Sequence, residues 1–343
     1  MILFQSDYQE GAVAPVLDAL VKTNAVACPG YGEDPITAQA KALIRNLCEA
    51  PGADVHFFVG GTQANLTLIA AALRPFEGVL CADPGHINTH ETGAIEATGH
   101  KVLALPATDG KITARQILDA YEAHVQDVTH EHIVRPAMIY LSHPTELGTL
   151  YTSSELDAIH RVARRCGLKL MIDGARLAYG LAADDSVNLP YLAAICDAFT
   201  IGGTKCGALF GEAAVLKSAA DWPHFRYHIK QRGALLAKGR LLAVQFQALL
   251  QDGRYVALAR EANEMAGEIK RAFQQKGFPL LCDTRCNQVF PVLPNDVLDA
   301  LQQNFTFAFW AATDKAHSAV RITVGVTTPR ENVQALLRAV EAL

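Results

Sequence analysis

Short apolar runs recur at Val55–Val59, Val79–Ala82, Lys101–Leu105, Met138–Ser142, Lys169–Asp173 and Ala198–Ile201, and each reads as a strand buried on both faces. Between them lie stretches with helical spacing: the alanine- and leucine-rich segment reaching Leu73, then Thr113–His124, Ser153–Cys166 and a shorter one around Asn188–Cys196. Strands alternating with helices predict an α/β fold with a mainly parallel central sheet. Ahead of them, Val13, Val16, Leu17 and Leu20 keep helical spacing before Asn24. Pro29-Gly30-Tyr31-Gly32 then breaks the chain, and Asp34-Pro35 supplies a cap and a first-turn proline for a helix to about Ala50. From Trp222 the character changes. A basic stretch, HFRYHIKQRGALLAKGR, reads as helical and leads into LLAVQFQALL and a long helix between Arg254 and Lys276. Strands follow at Gln288–Leu293, Phe305–Phe309 and Val320–Val324, and Thr328-Pro329 opens a last helix. We therefore expect an N-terminal arm (1–30), a large domain (31–239) and a smaller α+β domain (240–343).

The 343 residues, half of them hydrophobic, are enough for such a two-part molecule. A net charge of −5, from 30 basic and 35 acidic residues, argues against nucleic acid or an anionic membrane as partner and favours a small molecule. No apolar run reaches about 18 residues, and MILFQSDYQEG lacks the basic-then-apolar order of a secretion signal, so we expect a cytoplasmic protein. The eight cysteines lack CxxC spacing and read as reduced thiols, with Cys282 and Cys286 structural. Cys206 is the one expected to meet a ligand.

Candidate chemistry collects where the predicted strands end. Ligands of parallel sheets bind beyond the carboxyl ends of the strands. There the chain offers Gly61-Thr62, His86, Thr145-Glu146, Asp173 with Arg176, and Lys205. GGTQAN (60–65) passes from strand to helix and suits a phosphate, although a plain tight turn would read the same way. His86 and His90 have metal-like spacing without a third ligand, so no metal is expected. Asp173 and Arg176 form either an ion pair at a helix start or half of a site. Lys205, set among Gly202, Gly203 and Gly207, is either a solvated turn lysine or a desolvated amine suited to Schiff-base chemistry.

Six segments in order resemble the fold-type I pyridoxal-phosphate enzymes, and among them the threonine aldolase branch of the beta-eliminating lyases. They are SDY near the N-terminus, GYGEDP (30–35), GGTQANL (60–66), GH (85–86) with HETGAIEATGHKV, IDGARLA (172–178) and GGTK (202–205). The resemblance implies pyridoxal phosphate as cofactor and Lys205 as its Schiff-base lysine. Asp173 resembles the acid on the pyridine nitrogen, and His86 the ring stacked on the cofactor. Gly61 and Thr62 resemble the phosphate cup, and Lys238 a cation sent to a neighbour's cofactor phosphate. Arg176 and Arg321, with Ser6 nearby, resemble the substrate-carboxylate ligands, and Tyr31, held at a helix mouth, is a further candidate for substrate binding. The implied reaction cleaves the Cα–Cβ bond of threonine or allo-threonine to glycine and an aldehyde. His86, Glu91, Glu146 or a water remain open as its base. Glu146 departs from the better-known threonine aldolases, which carry a histidine there. The family also implies a homodimer or homotetramer with shared sites. A β-eliminating lyase acting on another amino acid, or a non-catalytic homologue, are the alternatives.

Overall fold

The computed structural model describes residues 1–343. In chain order the strands are β1 (Ile2–Leu3), β2 (Asp54–Phe58), β3 (Glu77–Ala82), β4 (Lys101–Leu105), β5 (Arg135–Ser142), β6 (Lys169–Asp173), β7 (Ala198–Gly202) and β8 (Glu212–Leu216). The C-terminal part adds β9 (Gln288–Val289), β10 (Val292–Pro294), β11 (Phe305–Thr306), β12 (Ala308–Ala312) and β13 (His317–Thr323). Seven strands form the central sheet in the order β2-β8-β7-β6-β5-β3-β4. From β4 to β7 all neighbours are parallel, and β8 alone runs antiparallel to both its neighbours, β7 and β2. The expected mainly parallel α/β sheet is therefore present.

The strands are apolar on both sides because both sides are covered. Along β6, Leu170 and Ile172 join a core with Leu156, Ile159 and Ala163 of the helix Ser153–Cys166. Met171 points the other way, into a core with Leu68 and Ile69 of the helix Gly61–Ala72. Asp173 continues the Met171 parity and so emerges beneath that helix. Helix starts are capped as their sequences suggest: Asp34 accepts from the Thr37 backbone N–H, and Thr113 and Thr152 each form a reciprocal capping box.

Several boundaries differ from expectation. The helix after Pro35 ends at Leu47, and Glu49 turns into the left-handed region (φ +51°). The basic stretch is helical only over Phe225–Gln231; Gly233 at φ +71° breaks it before Arg240–Leu250. Gln288–Leu293 is two strands, because Pro291 between them has no N–H for a ladder. Phe305–Phe309 also divides, β11 pairing in parallel with β1 and β12 pairing with β13. The arm is thus stitched to the C-terminal part, and the helix Arg240–Leu250 packs against Ala14–Thr23 and Pro35–Leu47. No helix is long and apolar enough to cross a membrane.

Candidate active site

A cavity of about 350 Å³ opens on the rim where β5, β6 and β7 end and β8 begins, within the usual range of ligand pockets of about 300–1,000 Å³. It is lined by Gly60, Gly61, Thr62, His86, Glu146, Asp173, Arg176, Lys205 and Glu212 among others. One side is the start of the helix Gly61–Ala72, whose first backbone N–H groups have no intrahelical partner and favour an anion. A Cβ built on Gly60 or Gly61 would meet no atom within 4 Å, so the space beside this turn is open.

Asp173 ends β6 held by three donors. Its Oδ2 accepts from the Tyr140 hydroxyl at 2.6 Å and from Asn65 Nδ2 at 2.8 Å, while Oδ1 accepts from the Ala175 backbone N–H at 2.8 Å. Burial, then the charge of Asp173, raises the Tyr140 phenol far above its ordinary value, so it stays a donor. Asn65 also donates to Glu91 Oε1 at 2.8 Å, and the same oxygen faces His86 Nδ1 at 2.8 Å. This links Asp173, Asn65, Glu91 and His86 in one chain. With Nδ1 engaged by Glu91, His86 has Nε2 free for the cavity, and His90, its ring 5.8 Å away, adds no shared ligand set.

Lys205 lies in the turn after β7, its carbonyl accepting from the Tyr179 hydroxyl at 2.7 Å. Two glycines let this turn nest against the loop after β6. A Cβ on Gly202 would stand 2.3 Å from Ala175 O, and one on Gly174 would stand 2.0 Å from Thr200 O. Burial, followed by the Arg176 charge, holds the Lys205 amine below the ordinary lysine value. Arg176 is fixed by a bidentate pair with Asp7, Nε to Oδ2 at 2.6 Å and Nη2 to Oδ1 at 3.0 Å, leaving Nη1 without a partner in the chain. Glu146 Oε1 accepts from Ser142 Oγ at 2.6 Å and from the His86 backbone N–H at 2.8 Å, and burial raises its carboxyl above the usual range.

The structure thus brings Gly61, Thr62, His86, Glu146, Asp173, Arg176 and Lys205 around one cavity, with Glu91 behind His86. Other expected residues lie elsewhere in this chain. Tyr31 is exposed under the Lys230 amine, 4.8 Å from its ring centre, beside a second small cavity, and Lys238 is exposed. Arg321 does not line the cavity; its Nη2 donates to Gln5 O at 3.2 Å, and it lies within electrostatic reach of Arg176. Ser6 does not line the cavity; Tyr8 does. Cys206 is fully buried with its Sγ toward Ala175 O and does not line the cavity, so the thiol expected to meet a ligand is covered by the loop after β6. Asp7, Tyr8, Asn65, Tyr140, Ser142 and Glu212 were not anticipated. Asn65 stands four residues after Gly61, one helical turn on, and that spacing was the one available signal.

A buried lysine, an aspartate fixed by three hydrogen bonds and a helix N-terminus on the rim of a mostly parallel sheet define a fold-type I enzyme. The chain matches the family model described as beta-eliminating lyase over residues 5–295 and belongs to that family. It is similar to the low specificity L-threonine aldolase of Pseudomonas aeruginosa, at 32% identity over 304 residues, 87% of this chain and 86% of the relative. The corresponding protein of Saccharomyces cerevisiae is 28% identical over 267 residues, 76% of this chain and 66% of the relative. A solved threonine aldolase of Leishmania major superposes with a TM-score of 0.96 at 38% identity, covering 100% of this chain and 99% of that one. The aspartate aminotransferase of Thermus thermophilus shares the fold alone, with a TM-score of 0.72 at 14% identity over 100% of this chain and 92% of the other.

Proposed function

We propose that the chain is a pyridoxal phosphate-dependent threonine aldolase that cleaves L-threonine, L-allo-threonine and related β-hydroxy-α-amino acids to glycine and an aldehyde. The observation that carries this reading is the buried Lys205 amine sharing one cavity with Asp173, whose carboxylate accepts three hydrogen bonds and keeps a lone pair on Oδ1. The residues fit the cofactor. Gly60, Gly61 and Thr62 offer an anion cup with open space, His86 a ring to stack on it, Asp173 an acceptor for a pyridine N–H, and Lys205 a covalent anchor. When bound, pyridoxal phosphate supplies an electron sink for the pair left on the substrate Cα.

The chain's own residues do the rest. Arg176, oriented by Asp7, presents Nη1 to the substrate carboxylate, and Arg321, within electrostatic reach of Arg176, adds positive potential for it. Holding that carboxylate sets the rotation about Cα and so selects the bond that breaks. Glu146, its own carboxyl raised by burial, takes the proton from the β-hydroxyl oxygen. The Cα–Cβ pair moves to Cα, the aldehyde departs, and a proton returned to Cα gives glycine.

The same reading divides the chain into an arm (1–30), a cofactor-binding domain (31–239) and a small domain (240–343). It assembles the chain as a homodimer or homotetramer in which Tyr31 and Lys238, exposed here, meet a neighbour's site. Eight free cysteines accord with a cytoplasmic location. The test is product analysis on L-threonine with added cofactor: glycine and acetaldehyde are expected, whereas a keto acid and ammonia indicate β-elimination. Borohydride should fix the cofactor on Lys205 and not in Lys205→Ala, and a peptide map placing it on Lys230 or Lys238 would overturn the assignment.

A further inference from the structure

Glu212 opens β8, the strand that runs against the direction of its neighbours. The register sets it opposite Phe58 of β2 on one side and Gly202 of β7 on the other. These two partners lead into Gly60–Thr62 and into Thr204–Lys205, so the carboxyl lies on the cavity floor between the anion cup and the lysine. Glu212 is only 2% exposed, and its Oε2 has no hydrogen-bond partner. The other acids around this cavity are engaged: Asp173 accepts three hydrogen bonds and Glu146 two. The rest of β8, Ala213–Leu216, is apolar and buried, so packing alone asks for an apolar residue at this position. An unpaired carboxylate in such a place is costly.

We propose that Glu212 is a positioning residue whose carboxyl faces the Lys205 nitrogen across the cavity floor, and that its charge thereby sets the charge on the nitrogen that anchors the cofactor. The inference rests on Lys205 being that anchor. The pair has two forms, neutral acid with neutral amine and carboxylate with ammonium. In passing between them Glu212 gives its proton to water in the cavity and the Lys205 nitrogen takes one from that water, so the exchange balances with solvent alone. Each form is neutral overall, so the proton moves without leaving net charge on the buried floor.

The surroundings push the two groups toward each other. Burial, then the Asp173 charge, raises the Glu212 carboxyl well above the carboxylate range, while burial, then Arg176, lowers the Lys205 amine. The titratable groups facing Glu212 are Asp173 at the end of β6, Lys205 and Cys206 after β7, and Tyr255 of the helix Arg254–Gln275, whose hydroxyl donates to Gly202 O at 2.7 Å. Lys205 also faces Asp7 and Arg176, which are paired with each other. The packed helix Gly61–Ala72 contains no titratable side chain, and on β2 His56 and Asp54 pair with each other at 2.8 Å further down the strand.

The test titrates the visible absorbance of the cofactor-loaded wild type, Glu212→Gln and Glu212→Asp against pH, with borohydride trapping of each. Glutamine matches the neutral acid in shape but cannot give up a proton. Without the opposite charge the Lys205 nitrogen holds its proton less well, and the midpoint of the chromophore should fall by about one pH unit or more. Aspartate, which keeps the acid, should restore most of the shift. A Glu212→Gln midpoint equal to the wild type, with cofactor trapped on Lys205 in both, overturns the role of Glu212 alone. Wild-type protein in which borohydride traps no cofactor on Lys205 removes the anchor reading and this inference with it.

Discussion

Glu146→Gln separates proton transfer from loop structure. In the folded chain Glu146 Oε1 accepts from Ser142 Oγ at 2.6 Å and from the His86 backbone N–H at 2.8 Å. A glutamine oxygen accepts both, so the substitution keeps the hydrogen bonds that tie residues 143–148 to the rim. It removes only the proton acceptor. Loss of a positioned general base lowers turnover by about 10²–10⁴-fold, or about 2.7–5.4 kcal/mol in the barrier. The sign with pH follows from burial, which raises this carboxyl above its ordinary value. The base works ionised, so wild-type kcat should fall as pH drops through that raised value, and the variant should lack this acidic limb. Aldehyde release from L-threonine and L-allo-threonine, followed against pH beside the visible spectrum, measures all of this. A carboxylate accepts a proton but cannot donate one when ionised, so the preference between the two β-epimers reports on the same residue. Unchanged turnover with both epimers, in a variant that still binds cofactor, refutes the reasoning and passes the role to His86 Nε2 or a water.

Asp7→Ala should destabilise the protein by about 3–5 kcal/mol in urea unfolding, because it leaves the buried Arg176 guanidinium unpaired, and should raise KM for the amino acid. Burial alone would raise the Asp7 carboxyl, but the charges of Arg176 and Lys205 outweigh it and hold the group below its usual value. Its stability contribution is therefore present above about pH 4 and lost as pH falls through the folded value, a loss that Asp7→Asn should not show. Parallel acid limbs in the two proteins would contradict this. Gly61→Val places its Cβ in open space, so unfolding of the cofactor-free protein should change by no more than about 1 kcal/mol. The Kd for pyridoxal phosphate should nevertheless rise at least about 10-fold, one decade per 1.4 kcal/mol, and equal affinity would remove Gly61 from the cup.

The site was legible where local periodicity alone places a residue. Gly61, Asp173 and Lys205 follow strand ends that the apolar runs mark, and a parallel sheet gathers such ends on one rim. What holds them was less legible. The bond from Asn65 to Asp173 spans 108 residues, and nothing within either segment announces it. Tyr140 and Ser142 lie two apart on β5, the parity that a strand sends to one face, and in hindsight that alternation beside Asp173 was the available signal. Tyr31 and Lys238 were located by motif and not by geometry; the irregular run after Gly233 leaves Lys238 outside the cavity of its own chain.

Glu212 escaped for a reason of topology. An acid opening an apolar strand, as in GEAAVL, is solvated on an edge strand and at the trailing end of a parallel one. β8 is neither. It is inserted between β2 and β7 and runs against both, so its first residue lies level with the last residues of its neighbours, Phe58 and Gly202. The rule that sends chemistry to carboxyl ends therefore inverts for one reversed strand in an otherwise parallel array. There the amino end reaches the rim, and an acid at that end enters the site instead of solvent.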